Sequence, residues 1–135
     1  MGFDAIWISP VVENTHNGYH GYWAKNWEAI SPQFGGEEAL RSLVRAAHEK
    51  DIYVMVDVVA NHVGPVGEDY SSITPFNKSQ DYHKKCKITN WDDQGQVEYC
   101  RLANLPDLNT ENSYVAGYLL DWIHNLVADY GFLIE

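Results

Sequence analysis

An apolar run from Ile52 to Val59 constrains the fold more than any other part of the sequence. Apolar residues follow one another along it, so both faces of the predicted strand are suited to burial in a parallel sheet. A predicted helix, Glu37–Lys50, comes directly before this run, and another apolar run, Ala5–Ile8, comes before the helix. The order strand, helix, strand predicts a βαβ unit. The apolar residues of the helix recur with helical spacing and are Leu40, Leu43, Val44 and Ala47.

The rest of the chain departs from this regular pattern. Residues 11–36 carry Gly, Asn, His and aromatic residues without helical spacing, which predicts a long loop. Residues 60–112 are polar and form an insertion whose length is typical of a functional loop or a small subdomain. A helix is predicted over Ser113–Asp129, and residues 131–134 resemble the start of a third strand. Two or three parallel strands do not complete a sheet, so we expect part of a larger barrel or doubly wound domain, rather than an unusually small α/β fold.

Charge and hydropathy bear on the possible partners. The 135 residues carry a formal net charge of −10 at pH 7, which argues against nucleic acid or an anionic membrane as a partner. No apolar stretch approaches the roughly 18–20 residues that a membrane span needs. The first residues lack the basic and apolar regions of a signal peptide, so we expect the chain to begin inside a longer sequence.

Two cysteines and one short motif bear on the cellular compartment. Cys86 and Cys100, if bonded, would close a loop of about 15 residues, worth about 3 kcal/mol in the chain-entropy model. Their spacing alone leaves a disulfide and two free thiols equally open. Asn77-Lys78-Ser79 matches the acceptor sequence for N-glycosylation at Asn77, a common accidental match that nevertheless points to a secreted protein.

Polar side chains interrupt the buried strand and follow its end. Asp57 lies within the apolar run, and Asn61 and His62 stand just past it. Taken alone, these residues are explained by a satisfied buried carboxylate and an ordinary turn. In a barrel of alternating strands and helices, however, the carboxyl ends of the strands carry the chemistry.

The loop after the first strand carries a second polar and aromatic group. Residues 18–23 place two Tyr, one His and one Trp between flexible glycines. One interpretation is a loop that merely caps the core. Aromatic rings offer a flat apolar face that suits the apolar face of a sugar ring, while His, Asn and Asp bind hydroxyl groups. Two such loops at the same end of one sheet favour a carbohydrate-binding cleft.

These motifs resemble the α-amylase family of glycoside hydrolases, and the fungal secreted α-amylases in particular. Gly2–Pro10 is similar to the second barrel strand of that family, and Tyr19–Trp23 to the loop after it. Asp57–His62 resembles the first signature region, and Leu105–Leu108 the motif near the end of the inserted domain. The resemblance implies an α/β fold: part of a (β/α)8 TIM barrel, about strands 2 to 4, with a small domain inserted after strand 3.

The same resemblance implies a division of the chain and an activity. Residues 1–59 would belong to the catalytic barrel, residues 60–112 to the inserted domain with its calcium and disulfide segment, and residues 113–135 to helix three and the start of strand four. The implied activity is retaining hydrolysis of internal α-1,4-glucosidic bonds in starch and related α-glucan oligosaccharides. The implied enzyme is secreted, monomeric and Ca²⁺-binding. α-Glucosidases and glucanotransferases share the first signature region and stay open as alternatives.

The resemblance also assigns roles at the cleft. Tyr22 would be the aromatic platform under the sugar at the cleavage point. His20 and His62 would donate hydrogen bonds to that sugar, and Trp23 would form part of the cleft wall. Asp57 would pair with an arginine on the next strand.

The insertion receives its own assignments from the resemblance. Calcium would be held by the Asn61 side chain, the backbone carbonyl of Glu98 and the carboxylate of Asp107. Oxygen ligands of these kinds are what a hard cation requires. Cys86 and Cys100 match a disulfide of the fungal enzymes, so the resemblance favours a bond between them.

The family's catalytic carboxyl groups are expected outside this chain. Retaining hydrolysis requires two carboxyl groups about 5 Å apart, and those of the family follow a strand-four pattern, G-F-D-G-L-R-I-D. Gly131-Phe132 begins that pattern, but residues 133–135 depart from it, and Glu135 does not stand in the matching register. We therefore expect no catalytic residue here and no hydrolysis by the chain alone. The alternative is a truncated product or pseudoenzyme that at most binds sugar.

Overall fold

The computed structural model describes residues 2–134, with two sheets and three α-helices in that range. The strands are β1 (Ala5–Ile8), β2 (Val12–Asn14), β3 (Ala24–Ile30), β4 (Tyr53–Val56) and β5 (Leu133–Ile134). The helices are α1 (Gly36–His48), α2 (Gln94–Tyr99) and α3 (Ser113–Tyr130). The expectations for Glu135 lie outside the described residues.

The βαβ unit expected from the sequence is present. Strands β1, β4 and β5 form a parallel sheet in the order β1-β4-β5, with Ile8 paired to Val56 and Met55 to Leu133. Strand β4 is shorter than the predicted Ile52–Val59. Its neighbour β1 is followed by Pro10, and the Asp57 amide donates the last bond of the ladder, 3.0 Å long, to the Ile8 carbonyl.

One face of this sheet is buried and the other is exposed within residues 2–134. Val54 and Val56 are fully buried, whereas Trp7 is 60% and Tyr53 59% exposed. The prediction that the β4 strand is buried on both faces is therefore wrong for the described part of the chain. Helix α1 follows the predicted stripe through Leu40, Val44 and Ala47, but Leu43 is exposed. The helix ends at His48, two residues earlier than predicted, because Asp51 takes a left-handed φ of 57° in the turn to β4.

The prediction of an irregular loop over residues 11–36 is wrong. Strands β2 and β3 form an antiparallel pair, with Val12 opposite Ile30 and Asn14 opposite Ala24. The pairing contains register shifts, so buried and exposed side chains do not alternate regularly along it. The alternation by which a strand is recognised in a sequence is absent for that reason.

The insertion contains little regular structure. It holds the short helix α2 and two 3₁₀ turns, at Ser79–Asp81 and Leu102–Asn104. Its centre is apolar, with Ile73 and Phe76 buried and the rings of Tyr70 and Tyr82 stacked at 3.8 Å. Side-chain contacts, rather than a backbone ladder, hold this segment together.

Helix α3 connects the insertion to β5. The Asn112 side chain accepts a hydrogen bond from the Tyr114 amide at 2.9 Å and so caps the amino end of the helix. At the other end, Gly131 takes a left-handed φ of 73°, the usual conformation for ending a helix before a new strand. Among the helices of residues 2–134, none combines the length and apolarity that a membrane crossing requires.

Candidate functional site

The loops after β1 and β4 meet at the carboxyl edge of the sheet, because parallel strands end on the same side. The hydroxyl of Tyr22 donates a 2.6 Å hydrogen bond to Oδ2 of Asp57, and Nε2 of His62 lies 3.0 Å from the backbone carbonyl of Tyr22. Asp57 and His62, which lie 35 and 40 positions from Tyr22 in the sequence, thus contact its hydroxyl and its backbone carbonyl. The structure brings together these three cleft residues expected from the sequence.

The aromatic loop is compact, and one glycine sets its path. Tyr22 and Trp23 both pack against His20, with ring centroids 5.9 Å and 4.9 Å away. The His20 ring accepts a 3.0 Å hydrogen bond at Nδ1 from the Tyr22 amide. Gly21 has a φ of 91°, and a Cβ there would lie 2.6 Å from the Pro10 carbonyl oxygen, so a side chain is excluded. The Tyr22 ring remains 42% exposed and open to a ligand.

Asn14 organises this loop and was missed by the sequence reasoning. Its Oδ1 accepts from the Trp23 amide at 2.8 Å, and its Nδ2 donates to the Gly21 carbonyl at 3.2 Å. The side chain therefore replaces backbone partners that a regular strand would have supplied. An asparagine between an apolar run and a Gly-rich loop was the available signal, but nothing in the sequence gives its partners.

The protonation states at this edge follow from the contacts. The hydrogen bond to Asp57, with burial and the negative charge of Asp57, raises the pKa of Tyr22. Burial lowers the pKa of His62 more than its hydrogen bond with the Tyr22 carbonyl and the charge of Asp107 raise it. A neutral His62 must carry its proton on Nε2, since a carbonyl only accepts. Asp57 is half-buried and accepts its hydrogen bond from the Tyr22 hydroxyl. Its pairing with an arginine of the next strand stays a prediction.

A second polar cluster lies beside the first and joins the insertion to the end of β4. The Leu108 amide donates to the Asn61 carbonyl at 2.9 Å, and the Val63 amide donates to the Pro106 carbonyl at 3.1 Å. This pairing lets Nδ2 of Asn61 donate a 3.1 Å hydrogen bond to Oδ1 of Asp107, although the two residues are 46 positions apart. Asp107 is 4% exposed, whereas Asn61 is open to solvent.

His83 completes this cluster and was not identified from the sequence. Its Nδ1 lies 2.8 Å from Oδ2 of Asp107, and its Nε2 lies 2.9 Å from Oε2 of Glu111. Donation from both ring nitrogens to two carboxylates requires the protonated ring, whereas burial raises the pKa of Asp107 against the hydrogen bond and charge of His83. Burial acts to lower the pKa of His83, but the hydrogen bonds to the two carboxylates outweigh it and raise the pKa. Hydrogen bonds from His83 and Tyr99 lower the pKa of Glu111.

The donor set at Asn61 and Asp107 fits a hard cation. It consists of one buried carboxylate and one amide, whose oxygens are ligand types that Ca²⁺ prefers, and in this structure the amide nitrogen faces Oδ1 of Asp107. Glu98 lies on α2 directly before Tyr99, whose ring packs edge-on against His83 with a centroid distance of 5.0 Å, so this segment borders the same cluster. Within residues 2–134, no group of three or more His, Cys, Asp or Glu side chains is arranged as a metal site. The expected calcium ligands are one carboxylate, one amide oxygen and one backbone carbonyl, which do not form a group of that kind. The assignment of calcium to them therefore stays a prediction.

The disulfide implied by the family resemblance is present. The sulfur atoms of Cys86 and Cys100 are 2.11 Å apart and their Cα atoms are 4.8 Å apart. Next to it, the Arg101 side chain is buried and donates to the Tyr70 hydroxyl at 3.0 Å. Asn77, the predicted glycosylation residue, is exposed on the surface of the insertion.

Parallel strands, helices between them, and polar and aromatic loops at the carboxyl edge define this chain as a segment of a β/α barrel. The model of the family "Alpha amylase, catalytic domain" matches residues 1–133. The chain therefore belongs to the α-amylase catalytic-domain family, which confirms the resemblance seen in the motifs.

Similar proteins agree with this membership. An α-amylase from Saccharomycopsis fibuligera is 45% identical over 96% of this chain and 29% of its own length. The solved structure of an α-amylase from Malbranchea cinnamomea has a TM-score of 0.92 and 43% identity, over 97% of this chain and 30% of that one. An α-amylase from Geobacillus thermoleovorans, solved in complex with acarbose, has a TM-score of 0.88 and 38% identity, over 97% and 29% of the two chains. The chain spans less than a third of the length of these relatives.

Proposed function

We propose that residues 1–135 supply the cleft and calcium-binding segment of an enzyme that hydrolyses internal α-1,4-glucosidic bonds in starch and related α-glucans with retention. The contact between Tyr22 and Asp57 carries this proposal, because it presents an exposed aromatic ring at the carboxyl edge of a barrel sheet. Family membership supports it, and so does the relative that was solved with acarbose.

In this proposal the aromatic loop is the wall and platform of a sugar-binding subsite. Tyr22 offers its exposed ring face, with its hydroxyl tied to Asp57 and its backbone tied to His62. His20 and Trp23 pack beside it and present further donors and ring surface to the same space. His62 already uses Nε2 on the Tyr22 carbonyl, so its contribution to a sugar includes holding that platform in place.

The calcium proposal rests on the second cluster. Asn61 and Asp107 would hold the ion through side-chain oxygens, and the Glu98 carbonyl would add a third ligand. When bound, Ca²⁺ supplies a structural cross-link between the inserted segment and the end of β4. The division of the chain at residues 59/60 and 112/113, with 60–112 as the inserted domain, belongs to the same proposal.

Hydrolysis requires groups that we place outside this chain. A retaining mechanism needs a nucleophile and an acid/base about 5 Å apart, and the family resemblance assigns neither role to a residue of this chain. We propose that the chain alone does not hydrolyse starch, and that the complete enzyme is a secreted monomer. The disulfide and the exposed Asn77 sequon support secretion. The second candidate, a product without catalysis that at most binds sugar, follows from the departure of residues 133–135 from the strand-four pattern.

A chimeric enzyme tests the proposal. Residues 2–132 replace the matching segment of the Saccharomycopsis fibuligera α-amylase, which supplies the remainder of the barrel. We expect turnover of soluble starch by the chimera and none by the 135-residue chain. Tyr22→Ala should lower kcat/KM by about 100-fold because the sugar loses its positioning surface.

Tyr19→Ala is the matched control for this experiment. Tyr19 stands in the same loop and is 76% exposed, and its ring packs edge-on against His20 at 5.2 Å rather than bonding to Asp57. We expect it to change kcat/KM far less than Tyr22→Ala. A folded chimera without turnover would contradict the proposal that these residues supply the cleft of a working enzyme, and equal losses from both variants would contradict the role of Tyr22.

A further inference from the structure

His83 contacts both the backbone and the side chain of Asp107 in the second polar cluster. Its backbone amide donates to the Asp107 carbonyl at 3.0 Å, and its ring donates from Nδ1 to the Asp107 carboxylate at 2.8 Å. Its side chain is 12% exposed, and that of Asp107 is 6% exposed, so water competes weakly for the contact between them. One residue thus fixes both the backbone and the side chain of the proposed ligand.

The contact with His83 fixes the orientation of the Asp107 carboxylate. Nδ1 of His83 engages Oδ2 of Asp107, whereas Oδ1 accepts a 3.1 Å hydrogen bond from Nδ2 of Asn61. Rotation of the carboxylate would break the short, charge-assisted bond to the ring. Oδ1 is therefore held facing the Asn61 side chain, whose amide would turn its oxygen toward this point to bind an ion.

The ring is itself held from the far side. Its Nε2 donates to Glu111 at 2.9 Å, and the ring of Tyr99 packs edge-on against it at 5.0 Å. Tyr99 directly follows Glu98, whose carbonyl is the third proposed ligand. Through Nδ1 and its contact with Tyr99, the His83 ring touches the segments that carry two of the three proposed ligands.

We propose that His83 is a positioning residue for the cation, which aims Oδ1 of Asp107 at the point shared with Asn61 through the bond from its Nδ1. This inference rests on the proposed calcium site and extends it to a residue that does not itself bind the ion. Groups that orient metal ligands in this way typically contribute 10- to 100-fold to metal affinity.

Replacement of single nitrogens of the ring tests the inference. The amide nitrogen of asparagine stands close to the position of Nδ1, and that of glutamine close to Nε2. The calcium dissociation constants of the full chain and of the variants His83→Asn, His83→Gln and His83→Ala are measured by titration calorimetry on calcium-stripped protein. His83→Ala and His83→Gln should weaken binding by about 10- to 100-fold, and His83→Asn should retain most of the affinity. Far-UV circular dichroism verifies that each variant is folded.

His124→Ala is the control, since His124 is an exposed histidine on α3 away from this cluster. It should leave the calcium affinity unchanged. Unchanged affinity in His83→Ala, or an equal loss in His83→Asn and His83→Ala, would overturn the positioning role while leaving the calcium site intact. Absence of binding by the unaltered chain would instead refute the calcium site, and the inference with it. Terbium luminescence, which nearby aromatic rings sensitise, gives a second measurement of ion binding for any variant that is too unstable for calorimetry.

Discussion

The βαβ segment and the insertion are stabilised in different ways. Between β1 and β4 a regular backbone ladder connects the strands, and one apolar face packs on α1 through Leu40 and Val44. The insertion has no comparable ladder within residues 60–112, and it depends on a disulfide, an apolar centre and the polar contacts of Asp107. A backbone ladder distributes stability over many similar bonds, whereas a polar cluster concentrates it in a few side chains.

The largest effect is therefore expected at the polar cluster. Asp107→Ala removes the acceptor of His83 and of Asn61 and leaves the partly buried His83 without one of its two carboxylates. Breaking a buried pair in this way typically costs about 3–5 kcal/mol. We expect a loss of that size in the free energy of unfolding, measured by urea denaturation in the presence of a calcium chelator.

Asp92→Ala provides the comparison within the same segment. Asp92 is exposed, and surface substitutions of this kind usually change stability by less than about 0.5 kcal/mol. Similar losses in the two variants would show that the Asp107 cluster contributes no special stability and would remove the contrast between the two regions.

A smaller loss is expected from a core change in the βαβ segment. Leu40→Ala opens a cavity between α1 and the sheet, where Leu40 is 6% exposed. We expect about 2 kcal/mol, the low end for such substitutions, because α1 packs on the sheet with one side only. Leu43→Ala is the matched control on the same helix, since Leu43 is 43% exposed and should cost little. A Leu40→Ala loss that exceeds the Asp107→Ala loss would reverse the comparison.

The smallest loss of stability is expected at the hydrogen bond between Tyr22 and Asp57. Tyr22→Phe removes one hydrogen bond to Asp57 at a partly exposed position, so the loss should lie near the low end of about 0.5–1.5 kcal/mol. The folded-state pKa of Tyr22 is raised, so this contribution is fully present below the ordinary pKa of tyrosine and disappears as the pH rises through the raised pKa.

A spectrophotometric titration of the tyrosines measures this shift. Asp57→Asn removes the charge and weakens the hydrogen bond, so one tyrosine should titrate at a lower pH than in the unaltered chain. The same titration of Tyr22→Phe identifies the residue concerned, because the shifted tyrosine should be missing there. An identical titration curve for Asp57→Asn and the unaltered chain would contradict the contact.

The sequence predicted the regular segment well and the side-chain partners poorly, for physical reasons. Helices α1 and α3 and strand β4 follow from local apolar spacing, and the family resemblance placed Cys86 opposite Cys100. The pairing of β2 with β3 was missed because register shifts remove the alternation along it. Asn14 and His83 were missed because their roles depend on partners 7 to 28 positions away, which no local pattern specifies.

Hydrogen exchange with and without calcium tests most directly whether the polar cluster is the point at which the insertion is fixed to the barrel segment. The informative amides are those of Val63, His83 and Leu108, which donate to the Pro106, Asp107 and Asn61 carbonyls. Calcium should slow their exchange strongly while leaving the ladder amides of Tyr53 and Asp57 nearly unchanged, because the ion would stabilise the cluster and not the β1–β4 pairing. The account would be contradicted if saturating calcium slowed exchange equally in both groups of amides. It would also be contradicted if calcium did not slow exchange at Val63, His83 and Leu108.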